Sequence, residues 1–384
     1  MDTLQPKLRF QKFEGNWETK KLSEVSKIGR GKSKHRPRDA EFLYGGQYPF
    51  IQTGDIRNAD LYLTNYTQTY SEAGLKQSKL WDENTLCITI AANIAETTIL
   101  QIKACFPDSI IGLIPNENDA TVLFVKYQFD KFKIEIQNLS QGVAQANLNQ
   151  EKLSNIEFNF PSLEEQTRIA NFLSLVDEKL NLLKEKKSLL EEYKKGIMQK
   201  IFNQEIRFKD DKGNDFEEWE NFKLGVFAKI TTGSSNREDS NLDGEYTFFD
   251  RSQDIRSSDR FLFDAEAIIV PGEGQEFIPK YFKGKFDLHQ RTYAIMNFGN
   301  NDGVFLFYSI THNKNHLNSH AVGSTVKSLR LPMFESMPIN LPSLREQTKI
   351  ANFLSAIDEK IALVSNQIQD TQEYKKGLLQ QMFV

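Results

Sequence analysis

Apolar residues recur at alternating steps of four and three along two long stretches of this chain. One series is Ile169, Leu173, Val176, Leu180, Leu183, Lys187, Leu190, Lys194, Ile197 and Ile201. The other is Ile350, Leu354, Ile357, Ile361, Val364, Ile368, Thr371, Lys375, Leu378 and Met382. A 3.5-residue period predicts two long helices with coiled-coil seams. The lysine and threonine interruptions fall in the same part of both, as expected if they face one another or a common partner. Elsewhere the pattern is shorter. TLCITIAAN and AIIVPG read as strands and FLFYSITHNKNHLN as helix, so the segments outside the long helices are mixed α and β.

The two helices are one helix written twice. PSLEEQTRIANFLSLVDEKLNLLKEKKSLLEEYKKGIMQKIF begins at Pro161, and PSLREQTKIANFLSAIDEKIALVSNQIQDTQEYKKGLLQQMF begins at Pro342, without a gap between the copies. Each opens with S-x-x-E (Ser162 to Glu165, Ser343 to Glu346), a capping box. The register extends upstream, pairing Gly142 with Gly323 and Leu148 with Leu329. Trp17, Lys21-Leu22 and Gly31 are echoed by Trp219, Lys223-Leu224 and Gly233. The predicted layout is a first variable domain at 1–160, a central helix at 161–205, a second variable domain at 206–341 and a last helix at 342–384. The expected fold is α+β: two mixed α/β domains separated by a long antiparallel two-helix coiled coil with pseudo-two-fold symmetry. About 40 residues at 1.5 Å each make a rod of roughly 60 Å.

The last turns carry more apolar surface than one seam uses. Tyr193, Ile197 and Met198, with Tyr374, Leu378 and Leu379, spread around the helix and are candidates for a partner-binding surface or for packing on the chain's own domains. Gly196 and Gly377 lie mid-helix, where glycine costs ~1 kcal/mol; a close backbone approach would justify them.

With 384 residues, 39% hydrophobic, the chain is long enough for two or more domains with their own cores. A net charge of −4 excludes a generic polyanion binder, but patches matter more than the sum. Residues 7–38 hold eleven Lys/Arg against three Glu, and GRGKSKHRPR contains Arg30, Lys32, Lys34, Arg36 and Arg38 with no acid. Glycines and Pro37 make this a loop, and a basic loop on a scaffold suits phosphate contact. The corresponding loop of the second half has Asn236 and Arg237, with Lys280, Lys283, Lys285, Arg291, Lys314, Lys327 and Arg330 as sources of further charge. Amide-rich and arginine-bearing segments add candidate base readers: Gln52, Thr53 and Arg57; Gln145 and Asn147; Arg251, Gln253 and Arg256; Ser324, Thr325 and Lys327. Gln and Asn suit adenine, and Arg suits guanine.

Several chemistries are missing. Gly31-Lys32-Ser33 lacks the glycine five residues upstream that a P-loop needs, since Ser26 stands there. No Asn-Pro-Pro-aromatic tetrapeptide of an amino-methyltransferase occurs. Asp177-Glu178 is read as a solvated helix face, and His312, His316 and His320 as an exposed polar face rather than a metal site. Cys87 and Cys105 have no metal spacing and are read as buried thiols. No apolar run reaches the ~18 residues of a membrane span, and MDTLQPKLRF has no signal region, so a cytoplasmic location is expected.

The duplicated P-x-L-x-E-Q-x-x-I-A helix opening, TGDI at Thr53–Ile56 and the Gly-x5-Leu before each helix resemble type I restriction–modification specificity subunits. In the second half SQDI (Ser252–Ile255) departs from TGDI. The resemblance implies a non-catalytic subunit with no cofactor or metal of its own. Each recognition domain would read one half of a bipartite asymmetric target in double-stranded DNA, and the coil would set the spacer. Two methyltransferase subunits carrying S-adenosylmethionine would dock on the conserved helices. Motor-nuclease subunits using ATP and Mg2+ would complete the restriction enzyme. The alternative reading of the same pattern is a coiled-coil scaffold that binds no DNA.

Overall fold

The seam pattern becomes two helices, a central one over Leu163–Phe202 and a second over Leu344–Met382. The computed structural model describes residues 4–91, 93–139 and 148–384. Contacts divide the chain into two compact units: one takes the chain up to Lys186 together with Ser365–Val384, and the other is Lys187–Val364. Each unit thus contains the front of one long helix and the back of the other.

In the first unit Ile169, Leu173 and Val176 share a core with Leu378 and Met382. In the second, Ile201 shares one with Ile350, Leu354 and Ile357, and Ile361 packs at its edge. The start of each helix therefore lies beside the end of the other, which makes the pair antiparallel. Leu180 and Val364 are also buried, while Leu183, Leu190 and Ile368 are half-buried. Every apolar seam position is at least partly withdrawn from water.

The seam lysines do not face one another. In the first unit Lys375 Nζ lies 2.6 Å from Asp177 Oδ1, and the Tyr127 hydroxyl donates to Asp177 Oδ2 at 2.8 Å. In the second, Lys194 Nζ lies 2.5 Å from Asp358 Oδ1, and the Tyr308 hydroxyl donates to Asp358 Oδ2 at 2.6 Å. All three members recur at the same 181-residue offset. Asp177 is thus no solvated carboxylate: a lysine in an apolar seam needs a counter-charge, and the aspartate supplies it. Burial, then the charge of Asp177, raises the Tyr127 pKa; burial, then its bond to Asp358, raises that of Tyr308.

The capping boxes form only in part. The amide of Glu165 donates to Ser162 Oγ at 3.4 Å, but Ser343 Oγ is buried without a hydrogen-bond partner among the described residues. The two glutamates are buried instead, Glu165 against Arg9 and Glu346 against Arg207 and the Trp219 indole. Beside them Gln166 accepts from the Thr121 amide and donates to Asp119 and Pro161 carbonyls. Gln347 repeats this with the Asp302 amide, Asn301 and Pro342. The Glu-Gln pair therefore fixes each helix start to its own unit by satisfying buried polar groups.

Each unit also closes its chain ends alike. Glu18–Lys21 pairs antiparallel with Glu157–Phe160, and Glu220–Lys223 with Pro338–Leu341. Trp17, Phe124 and Phe383 pack together in the first unit, as do Trp219, Phe305 and Phe202 in the second. The first unit carries a five-stranded sheet ordered Ser26–Arg30, Ile110–Pro115, Leu86–Thr89, Thr97–Leu100, Tyr62–Leu63. It adds a four-stranded sheet of Gln68–Tyr70, Tyr44–Phe50, Ala104–Cys105 and Leu80–Trp81. The second unit has one six-stranded sheet ordered Lys229–Thr232, Thr292–Met296, Phe263–Pro271, Lys280–Leu288, Tyr246–Phe249, Arg256–Ser258.

His312 is half-buried and stacks on Phe202, and His316 contacts the Met333 carbonyl, so this face is not simply exposed. The close approach expected at Gly196 and Gly377 is absent, because a Cβ at either would meet open space. Nothing in the structure explains these glycines. Gly196→Ala and Gly377→Ala should each raise the unfolding free energy by about 0.5–1 kcal/mol in urea titrations. A loss of stability would mean that these positions pack against something.

Candidate nucleic-acid interface

The basic loop of the first unit starts where its edge strand ends. Arg30 closes the strand Ser26–Arg30, and the next residues alternate, with Gly31 and Ser33 buried and Lys32, Lys34, Arg36 and Arg38 exposed. The reason is local. Backbone bonds from Gly31 to the Ile110 carbonyl and from Lys32 to the Phe106 carbonyl hold the loop against the sheet. A Cβ on Gly31 would lie 2.2 Å from the Pro107 carbonyl oxygen, so only glycine allows this approach. Ser33 Oγ sits 3.4 Å from the Tyr70 hydroxyl, and the His35 amide donates to Gln77.

The loop's cations divide by how they are held. Arg38 pairs with Asp108 at 2.8 Å, Arg30 donates to the Asp108 carbonyl, and Arg36 donates to the Ser33 and His35 carbonyls. Lys32 and Lys34 project without a recorded partner among the described residues. Lys79 joins them: burial and the nearby Lys32 charge push its pKa down, and its ammonium lies over the Trp81 ring. Sequence reasoning missed Lys79, which lies far from the loop in the chain.

Gln52 donates to Gln68 Oε1 at 2.9 Å, and Asp55 of the TGDI segment caps the helix Thr53–Asn58 by accepting from the Gln52 amide. Arg57 is exposed and Thr53 half-buried. The strand Gln68–Tyr70 ties this group to the loop, with Gln68 at Gln52 and Tyr70 at Ser33. Gln145 and Asn147 lie outside the described residues.

The second unit gathers its candidates more tightly. Its strand Lys229–Thr232 leads into the loop holding Asn236 and Arg237, and Gln290 donates to Asn236. Arg237 and Arg256 lie 3.8 and 4.0 Å from the buried Asp250 carboxylate. Arg251 and Arg291 share Glu273. Lys280 donates to the carbonyls of Ser252 and Gln253, and Gly274 pairs with Lys327 across a two-strand ribbon. Ser324 and Thr325 are exposed in the loop before that ribbon. Arg260 was missed by sequence reasoning: it donates to Ser235 and lies 3.6 Å from buried Asp287. Burial lowers the pKa of His289, whose Nδ1 accepts from the Arg291 amide. For Asp250 burial acts upward, but the Ser252 hydroxyl and amide with Arg237 and Arg256 outweigh it and hold the carboxyl below its ordinary range.

The candidate partner surface is largely consumed by the chain itself. Leu378 is buried in the first core and Leu379 packs on it, while Ile197 and Met198 pack on the second. Tyr193 and Tyr374 remain exposed, because they point away from the seam that buries their neighbours. Among the described residues no group of three or more His, Cys, Asp or Glu could hold a metal ion, and no helix is long and apolar enough to cross a membrane.

Known proteins share this arrangement. The type I restriction modification DNA specificity domain matches twice, at residues 14–192 and 216–372. The Escherichia coli type I restriction enzyme EcoDI specificity subunit is 31% identical over 36% of this chain and 31% of its own length. The protein described as the MjaX specificity subunit of Methanocaldococcus jannaschii is 24% identical over 95% of this chain and 92% of its own. Among solved structures, a type I system S subunit from M. genitalium matches with a TM-score of 0.66, 15% identity and 99% of both chains. A chain from a study of type I R-M complex assembly matches at 0.55, with 14% identity, over 94% of this chain and 96% of its own. At these identities the two structures speak to the fold.

The depressed Asp250 carboxyl has a stability consequence. A group whose folded pKa lies below its unfolded one stabilises above the unfolded value, and that contribution is lost as pH falls through the folded one. Between pH 5 and about pH 2 the native chain should therefore lose more unfolding free energy than Asp250→Asn, in denaturant titrations at each pH. Parallel curves would show that Asp250 is not held ionised.

Proposed function

Because the chain belongs to the type I restriction modification DNA specificity family, we propose that it is the DNA-reading subunit of such a system and performs no chemistry itself. Its first unit reads one half of a bipartite asymmetric target and its second unit the other. The observation that carries this is the duplication of scaffold without duplication of readers. Ser26–Arg30 and Lys229–Thr232 occupy equivalent edges, yet one feeds a loop whose Lys32 and Lys34 ammonium groups have no partner among the described residues and the other a loop tied into an arginine cluster. Equivalent mounts with different side chains suit two different half-sites.

Mechanistically, Lys32, Lys34 and Lys79 attract and seat the phosphate backbone, which fixes register without carrying sequence information. The amide and guanidinium groups then face base edges, where hydrogen-bond patterns distinguish the pairs. The antiparallel helices tie the two readers together and set the unspecified spacer. Methyltransferase subunits supply S-adenosylmethionine and the modified adenine is theirs to flip; motor-nuclease subunits supply ATP and Mg2+ chemistry. Such a protein works in the cytoplasm.

Replacing Lys32 and Lys34 by Ala should weaken binding to all duplexes similarly and reduce the salt slope of log K by about 2. Unchanged binding would favour a scaffold that does not touch DNA. Inserting one heptad into both long helices adds about 10 Å and should lengthen the recognised spacer by about three base pairs with the half-sites unaltered. Changed half-sites at constant spacer would defeat the spacer role.

A further inference from the structure

The second unit holds its arginines in a way the first does not hold its lysines. The Asp250 side chain is 2% exposed, whereas those of Arg237 and Arg256 beside it are 57% and 35% exposed. The Glu273 side chain is 15% exposed, and those of Arg251 and Arg291 are 56% and 60% exposed. Each carboxylate therefore lies against two arginine side chains that are far more exposed than it is. Arg256 is fixed further by donating to Ser240 Oγ at 3.1 Å. Asp250 is itself anchored, accepting from the Ser252 amide at 2.7 Å. One of its oxygens, Oδ2, and Arg256 Nε are buried without a hydrogen-bond partner among the described residues.

Burying a carboxylate inside a cationic face makes no sense for phosphate attraction. It cancels charge where charge is wanted, and its desolvation is costly. Phosphate contact tolerates a loose point charge, as at Lys32 and Lys34. Reading a base edge requires a planar donor fork held within a fraction of an ångström. A guanidinium held beside a buried carboxylate has less freedom than a loose lysine, and the donors it keeps suit the O6 and N7 acceptors of guanine.

We propose that Asp250 and Glu273 are positioning residues that hold Arg237, Arg256, Arg251 and Arg291 as guanine readers for the half-site taken by the second unit. The inference rests on the DNA-reading function above and adds the base that this unit selects and the groups that aim its readers. It makes a prediction of sign. If the carboxylates only dilute positive charge, removing one strengthens binding to every duplex. If they aim the arginines, removing one weakens binding to the selected sequence alone.

The test uses the full chain. A random duplex pool is first selected for binding, which yields a preferred sequence, and affinities are then measured for that duplex and a scrambled one. Asp250→Asn and Glu273→Gln should each bind the selected duplex roughly ten-fold or more weakly, while binding the scrambled duplex equally or more tightly. Replacing guanine by 7-deazaguanine in the second unit's half-site should cost the native chain a similar factor and cost Asp250→Asn much less. Arg256→Lys keeps the charge and leaves the buried carboxylate paired, so it decides the matter should Asp250→Asn fail to fold; it should lose guanine preference. Affinities for both duplexes rising together, or indifference to 7-deazaguanine, overturns the proposal while leaving DNA reading intact. A native chain that selects no sequence at all overturns both.

Discussion

The structure depends on placing a lysine in an apolar seam and answering it with an aspartate from the opposite helix. Lys375 meets Asp177 in the first unit and Lys194 meets Asp358 in the second, each under a tyrosine hydroxyl that takes the remaining carboxylate oxygen. A seam of apolar residues alone would accept several registers and both directions. A charged residue in the seam costs its desolvation wherever it lacks a partner, so only the antiparallel register that joins these groups is favoured. The recognition units are fastened to that register through Glu165-Gln166 and Glu346-Gln347, whose buried polar atoms bond to loop backbone and tail arginines. Helix, clamp and sheet edge thus form one mechanical chain leading to the loops that carry the cations.

Much of this was legible in the sequence, because a seam is a local pattern and a duplication doubles it. The two long helices, their antiparallel order and the mixed α/β character of each unit followed from periodicity and repeat alone. The partners of the seam lysines did not, because Asp177 and Asp358 look like ordinary surface carboxylates in a charged helix. A signal was available. Tyr127, Asp177 and Lys194 each recur 181 residues later as Tyr308, Asp358 and Lys375, and a polar residue kept in both copies of a duplication is under a shared constraint. The same reasoning exposes the glutamates: the full capping box that the spacing suggests gives way to a buried ion pair on the glutamate side, since spacing cannot tell a side chain that folds back from one that reaches Arg9 or Arg207.

The candidate interface residues were less legible for a different reason. Loop cations announce themselves by composition, as in GRGKSKHRPR, but whether they are tethered depends on carboxylates distant in sequence. Asp250 and Glu273 carry no local mark, and Lys79 joins Lys32 only through folding. The distinction between free and tethered cations therefore belongs to tertiary structure, and on the proposed function it separates charges that seat a duplex from those that read it.

Charge exchange at the second unit's seam pair tests the central claim most directly. Lys194→Asp and Asp358→Lys each place like charges side by side and should lower the unfolding free energy by roughly 1–3 kcal/mol. Combining them restores an opposite-charge pair, so the double variant should be more stable than either single one in a denaturant-based double-mutant cycle. A double variant whose loss equals the sum of the two single losses would show that these residues do not meet, and the antiparallel register would fall with them.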